Sequence, residues 1–139
     1  SIYIQPMPYS IPDDDEIRDA LRYVMRRMKG INSLNKLRKL VIKQLKNKDK
    51  EYTVSSERLR KMAVTAPYIK TKIYTREGKK GKKFSGKCPV CGGKLELTKN
   101  ETIFGGTVTL GYKCTECPYW TTIRRRIPIR YSFEYDKEE

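Results

Sequence analysis

The four cysteines of this chain occur as two C-x-x-C pairs, and this pattern limits the fold more than any other feature of the sequence. Cys88 and Cys91 form the first pair, and Cys114 and Cys117 form the second. A C-x-x-C turn directs both sulfur atoms toward one point, and two such turns supply the four thiolates of a tetrahedral metal site. Because two glycines that suit the turn follow the first pair, the sequence predicts one structural Zn²⁺ on these four cysteines.

Two other uses of the cysteines stay open, an iron site of the rubredoxin kind and a redox-active dithiol. Tetrahedral sulfur suits iron as well as zinc. The dithiol is less favoured because no βαβ pattern surrounds either pair. Disulfides within the pairs would be strained, and the sequence shows no secretory signal peptide. With four thiolate ligands the metal is predicted to be non-catalytic, and we expect chelation to unfold residues 88–120 while the helical part survives.

Composition and charge indicate an intracellular protein with a polyanionic partner. The chain has 139 residues and a net charge of +15, and residues 17–133 hold 30 basic and 8 acidic residues. Such an excess favours nucleic acid as the partner, because a lysine-rich surface that is only solvated usually includes more glutamate. No apolar run approaches the roughly 18 residues of a membrane span, and reduced metal-binding cysteines indicate the cytoplasm. The sequence contains no histidine, and it shows neither a phosphate-binding loop nor a nucleophile motif, so nothing in it suggests an enzyme.

Apolar periodicity predicts three helices in the first half of the chain. Each begins at a residue that can cap a helix. These residues are Asp13 for the first helix, Ser33 for the second, and either Ser55 or Ser56 for the third. Gly30 suits the end of the first helix. On the second helix the faces away from the apolar stripe are almost all basic. The predicted ranges are 13–30, 33–46 and 55–65.

The second half of the chain predicts short strands. Residues 68–76 alternate as a strand and lead into the basic loop 77–83, which has the composition of a hairpin tip. Short strands are expected between the cysteine pairs, and Trp120 is expected to cover the metal site, with stacking on a ligand as the alternative. Residues 127–135 form a last strand that Pro128 places toward a sheet edge. Either this strand or the proline-rich extended arm 1–12 is expected to pair with another strand, within the chain or in a homodimer.

The order of these elements resembles a winged helix-turn-helix followed by a zinc ribbon. The helical part is similar to the winged-helix domains of archaeal DNA-binding proteins, and Cys88 to about Thr122 resembles the ribbons of the transcription and translation machinery. The residues that carry the winged-helix resemblance are Ile31, Ser33, Leu37, Val41, Tyr52, Val54, Ser55, Arg58 and Arg60. The resemblance implies an α+β protein with an arm (1–12), a winged helix-turn-helix domain with a basic wing (13–84), a ribbon (85–122) and a C-terminal strand with an acidic tail (123–139).

The resemblance also implies how nucleic acid would be bound. Helix 55–65 would enter the major groove and the loop would act as a wing on the backbone or minor groove. The implied groove residues are Ser56, Glu57, Arg58, Arg60 and Lys61, and the implied wing residues are Lys79, Lys80, Lys82 and Lys83. Arg124, Arg125 and Arg126 complete the candidate set. Residues 47–54 make the connection before the third helix longer than a simple helix-turn-helix has.

Two functions follow from these expectations. The first is binding of duplex DNA, preferred over RNA, by a nucleoid-associated transcription regulator or chromatin factor, with Arg58 and Arg60 as the best readers of base edges. The second is an adaptor of RNA polymerase or the ribosome whose ribbon binds RNA or protein.

Overall fold

A computed structural model describes residues 11–78, 86–101 and 104–137 of the protein. These residues contain three helices and two small antiparallel sheets, which confirms the predicted α+β class. The helices are α1 (Asp14–Met28), α2 (Leu34–Leu45) and α3 (Ser56–Thr65). The strands are β1 (Gly30–Ile31), β2 (Ile69–Glu77), β3 (Leu95–Glu101), β4 (Thr107–Cys114), β5 (Trp120–Thr122) and β6 (Arg126–Tyr135).

Local capping signals determine where the helices begin, as predicted. Asp13 and Glu16 form a capping box in which each backbone N–H donates to the other residue's carboxylate, at 3.1 and 2.8 Å. The Ser33 and Ser55 hydroxyls accept hydrogen bonds from the backbone N–H groups three residues later and cap α2 and α3. The apolar stripe of each helix then faces the core.

The end of α1 differs from the prediction. Lys29, not Gly30, caps the helix with a φ of 67°, and its N–H donates to the Met25 carbonyl at 2.8 Å. The Lys29 carbonyl accepts a hydrogen bond of 2.7 Å from Tyr135 of β6. Gly30 is already the first residue of β1 and pairs with β6. This helix end therefore depends on a contact more than 100 residues away in sequence, which no local signal reports.

The first sheet has the strand order β1-β6-β2, so the last strand of the chain is its central strand. β2 pairs with β6 antiparallel from Ile69 opposite Tyr135 to Glu77 opposite Arg126. This confirms that residues 127–135 pair with another strand, and the partner lies within the chain. The expectation that β2 forms a local hairpin closed by the basic loop was wrong, because β2 pairs with β6 and the cysteine-bearing part, residues 86–125, lies between these two strands along the chain.

Pro128 sits in β6 beyond the two residues that pair with β1. A register shift between Tyr74 and Thr75 of β2 leaves Ile129 without a paired residue, directly after Pro128. Proline is tolerated at such irregularities because it has no N–H to donate to a ladder. We expected Pro128 to place this strand toward a sheet edge, but β6 is the central strand of the sheet. Pro128 lies at an irregularity in it, beyond the residues that pair with β1.

The second sheet, in the order β3-β4-β5, belongs to the cysteine-bearing part. Gly111 of β4 allows β5 to pack closely, because a Cβ added at Gly111 would lie 2.1 Å from the Thr121 carbonyl oxygen. Thr121 is itself 2% exposed, and its hydroxyl donates to the Arg124 carbonyl and accepts from the Arg126 N–H. β5 is thereby joined to the start of β6.

The two parts of the protein share one hydrophobic core. The cluster of buried side chains includes Leu21, Leu37 and Leu59 from the helices and also Val90 and Tyr119 from the cysteine-bearing part. In the described residues no helix has the length and apolar character that crossing a bilayer requires. The extended arm that we predicted lies almost wholly outside the described residues, because the structure describes nothing before residue 11.

Candidate metal centre and basic surfaces

The four cysteine sulfur atoms lie together, as the sequence predicted. All four Sγ atoms are within 4.8 Å of one another, with Cys88 to Cys117 at 3.6 Å and Cys91 to Cys114 at 3.5 Å. A disulfide would require about 2.05 Å. Four thiolates around one ion at about 2.3 Å are separated by about 3.8 Å, so these positions fit a single tetrahedral metal ion. The residues that would hold it are these four cysteines.

Backbone turns place the sulfur atoms. The N–H groups of Val90, Gly93 and Glu116 donate to cysteine sulfurs at 3.3 to 3.4 Å. Such bonds favour the charged thiolate that a metal needs. Gly92 has a φ of 77°, and a Cβ at Gly93 would lie 3.0 Å from Glu116 and 3.2 Å from the Cys91 sulfur. Both glycines are therefore required, one for conformation and one for space.

The thiol pKa values show how protons are distributed in the cluster without metal. The hydrogen bond between Cys88 and Cys117 lowers the pKa of Cys88 to about 5 and raises the pKa of Cys117. Burial raises the pKa of Cys91 to about 11. Some cysteines thus keep their protons at neutral pH. Metal binding would release these protons, and its affinity would rise with pH.

One hydrogen bond ties this centre to the third helix. Arg60 of α3 donates from Nε to the Val90 carbonyl at 2.8 Å, and Val90 is fully buried within the first cysteine turn. The neighbouring Lys61 lies against Gly92, where an added Cβ would be 3.8 Å from its Nζ atom, and Lys61 also forms an ion pair of 3.1 Å with Glu57. The outer face of α3 is therefore partly covered by the cysteine turn.

Arg58, the other candidate base reader, is bound to the start of α1. Its guanidinium donates to the Pro12 carbonyl at 2.9 Å and to the Asp14 carboxylate at 2.7 Å. That hydrogen bond, with the charge of Arg58, lowers the pKa of Asp14. Both terminal nitrogens of Arg58 are thus engaged, and Arg58 would have to leave these partners to present them to a base. Of the other groove candidates, Ser56 and Glu57 are exposed at the first turn of α3.

The wing candidates Lys79, Lys80, Lys82 and Lys83 lie outside the described residues, so their role stays a prediction. Arg124 is exposed and pairs with Glu77 at 3.3 Å. Arg125 is half-buried and Arg126 is fixed over an aromatic ring. The three arginines therefore do not form one open cationic patch.

The basic faces that the sequence predicted for the second helix form a surface that was not among the predicted nucleic-acid-binding residues. Four exposed lysines lie on one face of α2 and its C-cap, at spacings of three, four and three residues, and α2 contains no acidic residue. The last of them, Lys46, also donates from its ammonium group to the Lys50 carbonyl at 3.1 Å. We call these residues, Lys36, Lys39, Lys43 and Lys46, the lysine row. Arg27 of α1 and Lys43 both line the shallow groove between α1 and α2, so the cationic surface continues onto α1. The signal was available as an i, i+3, i+7, i+10 pattern of lysines.

Trp120 does not take the buried position that we expected for it. Tyr119 is 1% exposed and donates from its hydroxyl to the Arg126 carbonyl, whereas Trp120 is 51% exposed. The Arg126 guanidinium lies 3.8 Å from the centre of the Trp120 ring. The strand register decides this, because Trp120 stands opposite the exposed Lys113 in β4.

No protein-family model, curated protein or solved structure gives a significant match to this chain.

Proposed function

We propose that this protein binds nucleic acid and prefers duplex DNA over RNA, as a nucleoid-associated transcription regulator or chromatin factor. The lysine row is the observation that carries this proposal. Its four lysines are exposed, they point from one face of α2, and no acid on that helix neutralises them. Neutralised phosphates release counterions, which supplies most of the affinity in sequence-independent binding.

The dimensions of the lysine row suit a phosphate backbone. Ten residues of helix separate Lys36 from Lys46, and at 1.5 Å per residue they span about 15 Å. Duplex DNA carries one negative charge per about 1.7 Å of its axis, so several phosphates would lie within reach of the row. Lysine acts here as a point charge that grips phosphate without reading sequence.

The element order supports a winged-helix reading of the helical part. A winged helix would contain three helices, a short strand after the first helix, and a sheet in which β6 lies between β1 and β2. These elements occur here, with the cysteine-bearing part inserted between the two long strands. In this proposal the metal is Zn²⁺, and it is structural because four cysteines complete its coordination. Base reading by α3 remains a prediction.

A second candidate function, an adaptor that docks on a protein or RNA of the transcription or translation machinery, is favoured by a different observation. The cysteine-bearing part exposes several large apolar side chains, of which Phe104 is 91% exposed. Contiguous exposed apolar surface is typical of interaction sites, and this candidate function requires these side chains to form one. The other such residues are Leu97, Leu110, Trp120 and Ile123.

Competition between nucleic acids at one salt concentration tests the proposal. Fluorescence anisotropy should give a lower Kd for a labelled DNA duplex than for an RNA duplex or a single strand of the same sequence and length. Replacing the lysine row by glutamine should raise the duplex Kd. A control variant with glutamine at Lys70, Lys94, Lys99 and Lys137 loses the same charge from exposed positions elsewhere and should bind nearly as well as the wild type. If both variants weakened duplex binding equally, a binding site on α2 would be contradicted. If the wild type bound no duplex, the adaptor would be the candidate function that is left.

A further inference from the structure

A small cleft lies where the edge strand of the first sheet meets β5. It has a volume of about 240 Å³, and no acidic residue is among the described residues that line it. Drug-sized ligands occupy pockets of about 300–1,000 Å³, so this cleft suits a smaller planar group. The lining residues are Thr71, Lys72, Ile73, Pro118, Tyr119, Trp120 and Arg126.

Trp120 and Arg126 form a rigid stacked pair at this cleft. Besides lying 3.8 Å from the ring centre, the Arg126 guanidinium donates from Nε to the Thr75 hydroxyl at 2.9 Å and from one terminal nitrogen to the Trp120 carbonyl at 3.1 Å. These bonds hold the guanidinium in place on the ring. They use two of the five N–H donors of Arg126, and no other bond from this guanidinium is formed within the described part of the chain.

The exposed remainder of the ring is available for a second stacking partner. Trp120 is 51% exposed although Arg126 lies over its ring. Two further cations are close, since Lys72 lines the same cleft and Lys113 stands opposite Trp120 in the sheet. Thr71, another lining residue, is 8% exposed, and its hydroxyl has no hydrogen-bond partner among the described residues. A planar group with a negative charge beside it would use the exposed ring surface and the two cations.

We propose that this cleft binds an unpaired nucleobase of a nucleic acid strand, with the base stacked on Trp120 and an adjacent phosphate near Lys72 and Arg126. Every base has a π face, so stacking on an aromatic ring tolerates any sequence, and a guanidinium adds a cation–π contribution. A base paired within a duplex is not available for this contact. The cleft thus assigns to the cysteine-bearing part a preference for unpaired nucleotides that the lysine row cannot supply.

The fluorescence of the protein reports on this cleft directly, because Trp120 is the only tryptophan in the chain. Titration with a single-stranded oligonucleotide should quench the emission saturably, since a stacked base quenches an indole ring. A strand of equal length with abasic sites has the same phosphates and should quench little. The proposal would be overturned if the abasic strand, or a blunt-ended duplex of the same length, quenched the emission as much as the normal strand. It would also be overturned by no quenching at all, or if a free mononucleotide saturated the quenching at the same concentration.

Binding by variants supplies a second readout through a labelled strand. Trp120→Ala should raise the single-strand Kd about tenfold or more, whereas Trp120→Phe should keep most of the affinity. Phe104→Ala removes a more exposed aromatic side chain, which lies outside the cleft, and is the control. If Trp120→Ala and Phe104→Ala weaken binding equally, the cleft is not the stacking site. Duplex binding through the lysine row should persist in all three variants, so this proposal and the duplex proposal can fail separately.

Discussion

The Nε atom of Arg60 lies 2.8 Å from the carbonyl oxygen of Val90, and this hydrogen bond joins α3 to the first cysteine turn. Val90 is fully buried, so its carbonyl depends on Arg60 for this hydrogen bond. The bond therefore links the cysteine cluster to α3, and it engages the Nε atom of an arginine that the sequence offered as a base reader.

Arg60→Ala should lower the free energy of unfolding by about 1.5–3 kcal/mol, because it leaves a buried carbonyl without its charged donor. Urea unfolding followed by circular dichroism measures this. Arg76→Ala removes an exposed arginine of β2 and should change stability by less than about 0.5 kcal/mol. Equal stability of the two variants would show that the Arg60 bond contributes nothing.

Removal of the metal should destabilise the helices as well as the cysteine-bearing part. Val90 and Tyr119 pack in the same core as the helical side chains, and β6 follows the cysteine-bearing part directly. This replaces the expectation from sequence that the helical part survives chelation unchanged. With a chelator present, the helical circular dichroism signal should melt at a lower temperature. An unchanged melting temperature of the helices, with only the strands unfolded, would show two independent modules.

The ion pair between Arg58 and Asp14, at 2.7 Å, should make stability depend on acid pH. Because a hydrogen bond from Arg58 lowers the pKa of Asp14, the pair stabilises the fold above the ordinary carboxyl pKa of about 3.9. That stabilisation is lost as the pH falls through the lower folded pKa. The stability difference between wild type and Arg58→Ala should therefore be largest near neutral pH and should shrink below about pH 4. A difference that stays constant down to pH 2 would contradict this role.

Gly111→Ala should weaken the second sheet. The new Cβ would lie 2.1 Å from a backbone oxygen of β5, so the strands must separate, at a cost of at least about 1–3 kcal/mol. Gly30→Ala is the matched control, since its Cβ would meet nothing closer than 3.9 Å. Thermal unfolding of the metal-loaded protein compares them, and equal melting temperatures would show that β5 is not packed against Gly111 in solution.

The sequence predicts the features that depend on neighbouring residues. Asp13, Ser33 and Ser55 cap their helices because a cap is a local hydrogen bond, and the C-x-x-C pairs place sulfur atoms through two short turns. The pairing of β2 with β6 could not be predicted in this way. The two strands are about 50 residues apart in sequence, and the alternation in each strand identifies a strand but not its partner.

The same limit applies to the candidate site. The charges of Arg58 and Arg60 are evident from the sequence, but their partners Asp14 and Val90 come from distant segments. Likewise, nothing in the order Tyr119-Trp120 tells which ring is buried, because the strand register decides it. Sequence reasoning thus identified cationic residues as candidates for nucleic-acid binding and could not tell which of them the fold itself engages.

The salt dependence of duplex binding tests the central claim most directly. For the wild type, log affinity should fall linearly with log salt concentration, with a slope of about −0.9 for each phosphate that the protein neutralises. Replacing Lys36, Lys39, Lys43 and Lys46 by glutamine should flatten the slope by up to about 0.9 for each lysine that grips a phosphate in the wild type, and should weaken all duplex sequences alike. The control with glutamine at Lys70, Lys94, Lys99 and Lys137 should keep the wild-type slope. A lysine-row variant with the wild-type slope would contradict the claim that α2 grips the phosphate backbone.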